Sequence, residues 1–441
     1  MNDSNFYLVS YILMWALTFF LYYRKRKCVD AGAYLMLLYL FLAVTSLLVY
    51  NNDFWGSSFG KLNIGGFAYL YIMFYITTLP VFRFNITSTT IHQPNLFLTD
   101  AIAIFFIVTT FIEFPNQISN ISEGLTKIFL SSADAESAYH EGYADIDNVG
   151  KGVSNIPRVL SNMLSGPCML MAFYYLYLNH RKRRYITIGL FVASFIKMFG
   201  SFAAGQRGGA VGVLLLLLVT YFLFKNIYIE KVRKVFSKIF ILVIVAVSLP
   251  IMALTIARFE QRDALGSVWL YTGQANIYFD MYGLDNNGIR YGDETFPLIK
   301  KALGFSGVPD NYMDVRNKYP HLKINNEVFV SYVGDFTFDY GPVGGAIVML
   351  LLSLLMIQLT RPQKKIIYFH QLILLHMCMK VCGTGSMKLF PFMGIVGNVE
   401  MIAYILVALL FWFDYNMSVS KRRNRISVES GDDTLSIISN N

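Results

Sequence analysis

Charge is scarce in this sequence. Asp, Glu, Lys and Arg make up 15% of the chain against 55% hydrophobic residues, and mean hydropathy is +0.47. That balance excludes a soluble enzyme. Cysteine is scarce too. Cys28, Cys168, Cys378 and Cys382 are the only four, and none falls in a segment assigned below to the outer face, so no disulfide framework is expected. Cys378 and Cys382, four apart, read as small apolar filler on one helix face. No Walker loop, dinucleotide fingerprint, HExxH or GxSxG occurs, which removes the chemistries those motifs serve. No internal repeat is visible, including the inverted repeat common among transporters.

What the chain does have is apolar runs of about 20 residues, the length that crosses a hydrocarbon core. Backbone groups in lipid must pair within their own segment, so these runs read as helices. Eleven are expected, at about 6–23, 33–50, 64–82, 96–112, 159–178, 185–204, 210–224, 239–256, 341–359, 366–381 and 393–413. The fold class is an all-α polytopic integral membrane protein, with one membrane domain over 1–425 and a Ser- and Asn-rich cytoplasmic tail, 426–441, that reads as disordered. Asp3 precedes the first run and Arg24-Lys25-Arg26-Lys27 follow it, the reverse of a cleavable signal peptide, so an uncleaved anchor with its N-terminus outside is expected. On that topology 21 Lys and Arg fall in six short cytoplasmic segments, while about 20 of the 28 acids lie outside. Each odd-numbered span ends in a basic cluster, except the third, which has Arg83 alone. The net charge of +9 is thus explained without nucleic acid. Two large outer loops result, 113–157, with an amphipathic helix expected over 118–129, and 258–340.

Function is expected on the outer face, where both loops lie. Between the sixth and seventh spans stands Gly205-Gln206-Arg207-Gly208-Gly209, a tight reversal at one membrane face. An arginine there is costly unless it meets water, a carboxylate or an anionic ligand. Guanidinium grips phosphate in a bidentate fork, and the glycines let a backbone approach a ligand closely. Gln206 and Gly208 join Arg207 as ligand contacts. An arginine snorkelling at a helix end, or paired with a loop acid, would need no ligand. Arg258 and Arg262, four apart where the eighth span exits, offer a second patch for an anionic headgroup, or pair with Glu260 and Asp263. The loop beyond carries aromatics, Tyr278 among them, that suit sugar faces or a small core packed on the membrane domain. Its last stretch, Asn325 to Gly345, holds Glu327, Asp335 and Asp339, each a candidate base, with His321 just upstream. Asp145 and Asp147 form a carboxylate pair of a kind that arises by chance in acidic loops, and no metal is expected. Lys197, Lys380 and Glu400 are ionisable within spans. Lys380 and Glu400, near the outer ends of the last two spans, are placed to form a structural pair.

Two stretches carry a resemblance. One is the span, the small-x-Arg-Gly turn, the Leu-rich span and the basic segment after it. The other is an Asn-rich loop end followed by Phe329-x-x-x-x-Gly334-Asp335-x-x-x-Asp339-Tyr340-Gly341-x-x-Gly344 leading into a span. Together they resemble the O-antigen and capsular oligosaccharide repeat-unit polymerases (the Wzy-like family). Motifs match over 200–224 and 325–345, and the expected topology matches over nearly the whole chain. The resemblance implies a metal-independent bacterial inner-membrane glycosyltransferase acting on undecaprenyl-pyrophosphate-linked oligosaccharides at the periplasmic face. It implies no cofactor, and a chain-length regulator and a flippase as partners. The arginines that matter in the family match Arg207 and lie near Arg258 and Arg262. The chemistry of the residues agrees with that reading: Arg207 and Arg258 are expected at the pyrophosphate with Arg262 beside them, Glu327 or Asp339 as base, and Asp335, His321 and Tyr278 as substrate contacts. The related O-antigen ligases carry His-Asn before the closing span where this chain has Asn325-Asn326, which leaves His321 without a family counterpart. The alternatives are a lipid-linked oligosaccharide flippase or other transporter, favoured by Lys197, Lys380 and Glu400, and a ligase.

Overall fold

The computed structural model describes residues 3–130, 156–203, 207–234, 236–238, 240–241, 244–245, 248, 263–310, 312–324, 330–387 and 394–438. The chain is helical. In order come α1 (Asp3–Arg26), α2 (Ala31–Tyr50), α3 (Ile64–Arg83), α4 (Leu96–Leu130), α5 (Ile156–Leu178), α6 (Arg184–Ala203) and α7 (Arg207–Phe224). Then follow α8 (Ala264–Tyr282), the short α9 (Pro297–Ala302) and α10 (Tyr312–Lys318), α11 (Tyr332–Leu359), α12 (Phe369–Thr384) and α13 (Gly394–Ile438). Among the described residues seven helices are long and apolar enough to cross a membrane: α1, α2, α3, α5, α11, the first part of α4 and the 397–420 part of α13. Gly209–Phe224 is a shorter apolar helix. The protein is an all-α, multi-pass membrane protein.

Local chemistry sets the helix ends. Asp30 caps α2 by accepting from Ala33 N at 3.0 Å, and Asn63 caps α3 by accepting from Gly65 N at 2.9 Å. Asp3 in the first turn of α1 and Arg24, Lys25 and Arg26 in its last turn complement the helix dipole. Contacts then sort the connections into two ends. At one end Arg26 donates to the carbonyls of Phe82 and Phe84, Arg183 forks onto Asp100 at 3.0 and 3.1 Å, and Asn95 reaches Asp414. At the same end the strand Thr90–Ile91 pairs in parallel with Ile366–Ile367. At the other end Asn5 meets Asn51, Asn52 meets Asp263, Arg158 meets Glu113, and Asn398 meets Thr295.

The structure corrects three expectations. The span 96–112 and the separate helix 118–129 are one helix, α4, which runs through Pro115. Proline removes the bond to the carbonyl four residues back, and one lost bond does not end a helix held by packing on its neighbours. The loop 258–340 contains α8, which lies across α2 and α3 as part of the core. Gly273 lets it touch the α2 backbone, and Asp280 accepts from Asn63 N at 2.7 Å. The end of the same loop is helical too: Ser331 caps a buried helical segment, 332–340, which meets the expected ninth span at a non-helical joint, Gly341 at φ 76°. Only glycine adopts that joint readily. Finally, α13 stays helical through Ile438, across the expected disordered tail; a helix already nucleated in the span extends at little cost.

The α8–α2 crossing is close enough to be tested. A Cβ at Gly273 would lie 2.6 Å from backbone atoms of Thr45 and Ser46. Gly273→Val is therefore expected to destabilise the protein by about 1–3 kcal/mol, read as a lower unfolding midpoint in detergent. An unchanged midpoint would mean that α8 lifts off α2 without loss.

Candidate functional site

The expected hairpin around Arg207 is present. α6 ends at Ala203 and α7 opens at Arg207, close to the expected 185–204 and 210–224. Buried Met198 and Ala210 pack together and set the register of the two helices. Ala210 lies three residues into α7 and Lys197 stands one residue before Met198, so Lys197 sits about 6 Å, close to one turn, below the level of Arg207. Gln206, Arg258, Arg262 and Glu327 lie outside the described residues, as do the side chain of Arg207 and the surroundings of Gly208.

Under the hairpin is a cluster of ionisable side chains from five helices. Lys197 Nζ donates to Asn162 Oδ1 at 2.5 Å and lies 5.8 Å from the Phe106 ring centre. Lys380 on α12 forms an ion pair with Glu400 on α13, as expected, and both are under a tenth exposed. Ser165 Oγ donates to Glu400 at 3.5 Å, and Arg158 pairs with Glu113 at 3.5 Å. One turn deeper, His376 is buried between Thr220 Oγ1 at 2.8 Å and the Tyr404 hydroxyl at 3.0 Å. That hydroxyl presses on Gly166, where a Cβ would meet it at 2.0 Å. Among the described residues this layer holds Lys197, Lys380 and Arg158 with Glu400 and Glu113, and Arg207 opens the helix above them. The opening turn of a helix favours an anion.

Beside the cluster lies a second constellation, which no sequence pattern announced. Arg290, between α8 and α9, is 1% exposed. Its Nε donates to Asp339 Oδ1 at 2.7 Å, its Nη2 to the Asp335 carbonyl at 3.2 Å and carboxylate at 3.4 Å, and Glu294 lies 3.9 Å from Nη1. Burial opposes its charge, but Asp339, Glu294 and Asp335 outweigh burial and raise its pKa above the usual arginine value. The other Asp339 oxygen accepts from Thr295 N and Oγ1, both at 2.7 Å, and from Glu294 N at 3.2 Å. The backbone fits the same logic. Pro342 cannot donate to the Phe338 carbonyl, and Arg290 N–H takes its place at 3.0 Å. Asn398 of α13 donates to the Thr295 carbonyl at 2.9 Å, two residues before Glu400. The clamp and the cluster therefore share one element.

These contacts alter the roles expected for the motif acids. Asp339 is 0% exposed with both oxygens engaged, so it stands as an anchor of the loop and offers no free oxygen to a substrate hydroxyl. Asp335 is 1% exposed and turns one carboxylate oxygen to Arg290 at 3.4 Å. Tyr278 is half-buried against Phe59 and Tyr282, next to the small cluster of Ile324, Val330 and Phe338, so it serves the loop's core. His321 is on the surface of the same loop, near Tyr319. That loop is tied further by buried Asp293, which accepts from Tyr319 at 2.7 Å and pairs with Lys300 and Lys318. Burial pushes the Asp293 pKa up, but these three partners prevail and hold it below the ordinary carboxylate value. Its contribution to stability is present at neutral pH and is lost only as pH falls through that depressed value. Among the described residues no group of three His, Cys, Asp or Glu is placed to hold a metal ion, and Asp145 and Asp147 lie outside them.

Comparison of the chain with protein-family models, with curated proteins and with solved structures finds no match.

Proposed function

We propose that this chain is an oligosaccharide repeat-unit polymerase of the Wzy-like type in a bacterial inner membrane. The observation that carries the proposal is the placement of Arg207 between glycines at the start of α7, over the ionisable cluster of Lys197, Lys380 and Glu400. The end bearing Arg24–Lys27, Arg181–Arg184 and Lys364–Lys365 is cytoplasmic by the positive-inside rule. The site then faces the periplasm. The eleven spans are α1–α7, the stretch 239–256, and α11–α13.

The substrates are undecaprenyl-pyrophosphate-linked oligosaccharides. An acceptor hydroxyl attacks the anomeric carbon of the growing chain. The new C–O bond forms as the bond to pyrophosphate breaks, and the hydroxyl proton passes to a base. Charge builds on the leaving pyrophosphate, so fixed cations are the main catalytic need. Arg207 and Arg258 hold that charge, with Arg262 beside them. Since Asp339 is committed to Arg290, Glu327 is the remaining acid of the motif for the base. No cofactor is required. A chain-length regulator and a flippase are the partner proteins.

A transporter would use a substrate site near the membrane midplane, whereas Glu400 lies six residues into α13 from its outer end. The test is a gel profile of surface glycan from a strain lacking this chain, with the lipid-linked pool extracted alongside. The proposal predicts a ladder collapsed to single repeats while lipid-linked units still reach the outer face. Units accumulating toward the cytoplasm would make the protein a flippase. Long polymer held on its carrier would make it a ligase.

A further inference from the structure

At the opposite end of the molecule, α3 and α11 finish side by side. Between them is a cleft of about 390 Å³ floored by Pro80, Phe84, Ile357 and Thr360, with Arg83 and Arg361 on its rim. Three features make these two arginines surplus to the fold. First, the carbonyls of Phe82 and Phe84 at the end of α3 already accept from Arg26 at 2.8 and 3.1 Å, and the Arg361 carbonyl accepts from Gln371 at 3.2 Å. Second, the described carboxylates of this end are engaged elsewhere: Asp30 with Tyr22, Asp100 with Arg183, Glu230 with Lys234 and Asp414 with Asn95. Third, the chain after Arg361 is held rigidly. Gln363 and Ile366 bond to each other in both directions around Lys364 and Lys365, both at positive φ, and Ile366–Ile367 then pairs with Thr90–Ile91.

We propose that this cleft binds the phosphate of an anionic glycerophospholipid. Two guanidinium groups at a helix end suit a phosphate oxygen pair, and basic pockets between membrane helices at this level recognise anionic headgroups. The apolar side of the site fits the rest of such a lipid. Ile347, Leu350 and Leu354 form an exposed stripe on the same face of α11 as Ile357 and Arg361, and acyl chains lie along it. A soluble phosphate would gain nothing from that stripe.

The test is retention of phosphatidylglycerol against phosphatidylcholine by the full chain purified in neutral detergent, read by native mass spectrometry. The wild type is expected to hold phosphatidylglycerol preferentially, and Arg83→Gln/Arg361→Gln to hold it roughly thirtyfold more weakly. Arg24→Gln/Lys25→Gln removes two exposed cations of the same end that do not line the cleft, and is expected to retain the preference. Arg83→Lys/Arg361→Lys keeps the charge without the fork and is expected to fall between. Equal retention of the two lipids by the wild type, or undiminished phosphatidylglycerol on the Gln variant, would overturn the proposal. So would displacement of the lipid by millimolar inorganic phosphate, which would make a soluble anion the occupant.

Discussion

Arg290→Met is expected to lower stability by about 3–5 kcal/mol, the loss that follows when one partner of a buried ion pair is removed. The reason is what remains. Asp339 is fully buried and Asp335 nearly so, and both turn a carboxylate oxygen to Arg290. Methionine matches much of the volume but none of the charge, so those carboxylates stay in a dry site or must take up protons. The Phe338 carbonyl keeps its backbone donor, because Arg290 N–H is unaffected by the side chain. Adding Asp339→Asn to Arg290→Met is therefore expected to recover part of the loss, since an amide can still accept from Thr295. Thermal unfolding in detergent measures both. A single variant within about 0.5 kcal/mol of wild type, the range of ordinary surface changes, would show that the clamp does not hold the loop.

Arg207→Ala is expected to reduce polymerisation by about 10²–10³-fold, the effect of removing one donor that stabilises developing charge, while the protein still reaches the membrane in normal amount. Lys197 and Lys380 are already tied to Asn162 and Glu400, so neither is positioned to replace a guanidinium one turn above. Arg207→Lys keeps a charge at the opening of α7 but loses the bidentate fork, and an intermediate rate is expected. Arg158→Ala is the contrasting change. Its side chain is 43% exposed, its pair with Glu113 is a rim contact, and little effect on rate is expected. Equal losses from Arg158→Ala and Arg207→Ala would mean that overall charge matters and the Arg207 position does not.

Much of the frame was legible because membrane constraints are written locally. Hydropathy located many of the helices, and the alternation of basic segments grouped 24–27, 83, 181–184 and 361–365; Arg26 does reach the carbonyl of Phe82, and Arg183 reaches Asp100 at the start of α4. The α6–α7 hairpin and the Lys380–Glu400 pair were visible for the same reason. The loop 258–340 was not. Gln274, Asn276 and Asp280 make α8 look like a surface segment, yet all three are buried, with Asn276 bonded to Ser46 and Asp280 to the start of α3. Those partners are more than two hundred residues away, and no local window contains them. Arg290 was missed on the same ground. Asp335 and Asp339, four apart on one helix face, were read as chemistry when their spacing equally signals a shared buried cation.

The most direct test of the central claim uses purified protein in liposomes with an undecaprenyl-pyrophosphate-linked repeat unit and a metal chelator present. The account predicts a ladder of longer lipid-linked glycans from the wild type, with one undecaprenyl pyrophosphate released for each new linkage, and substrate left as single repeats by Arg207→Ala. Wild-type protein that leaves every unit unjoined, while moving it from one leaflet to the other, would contradict the account.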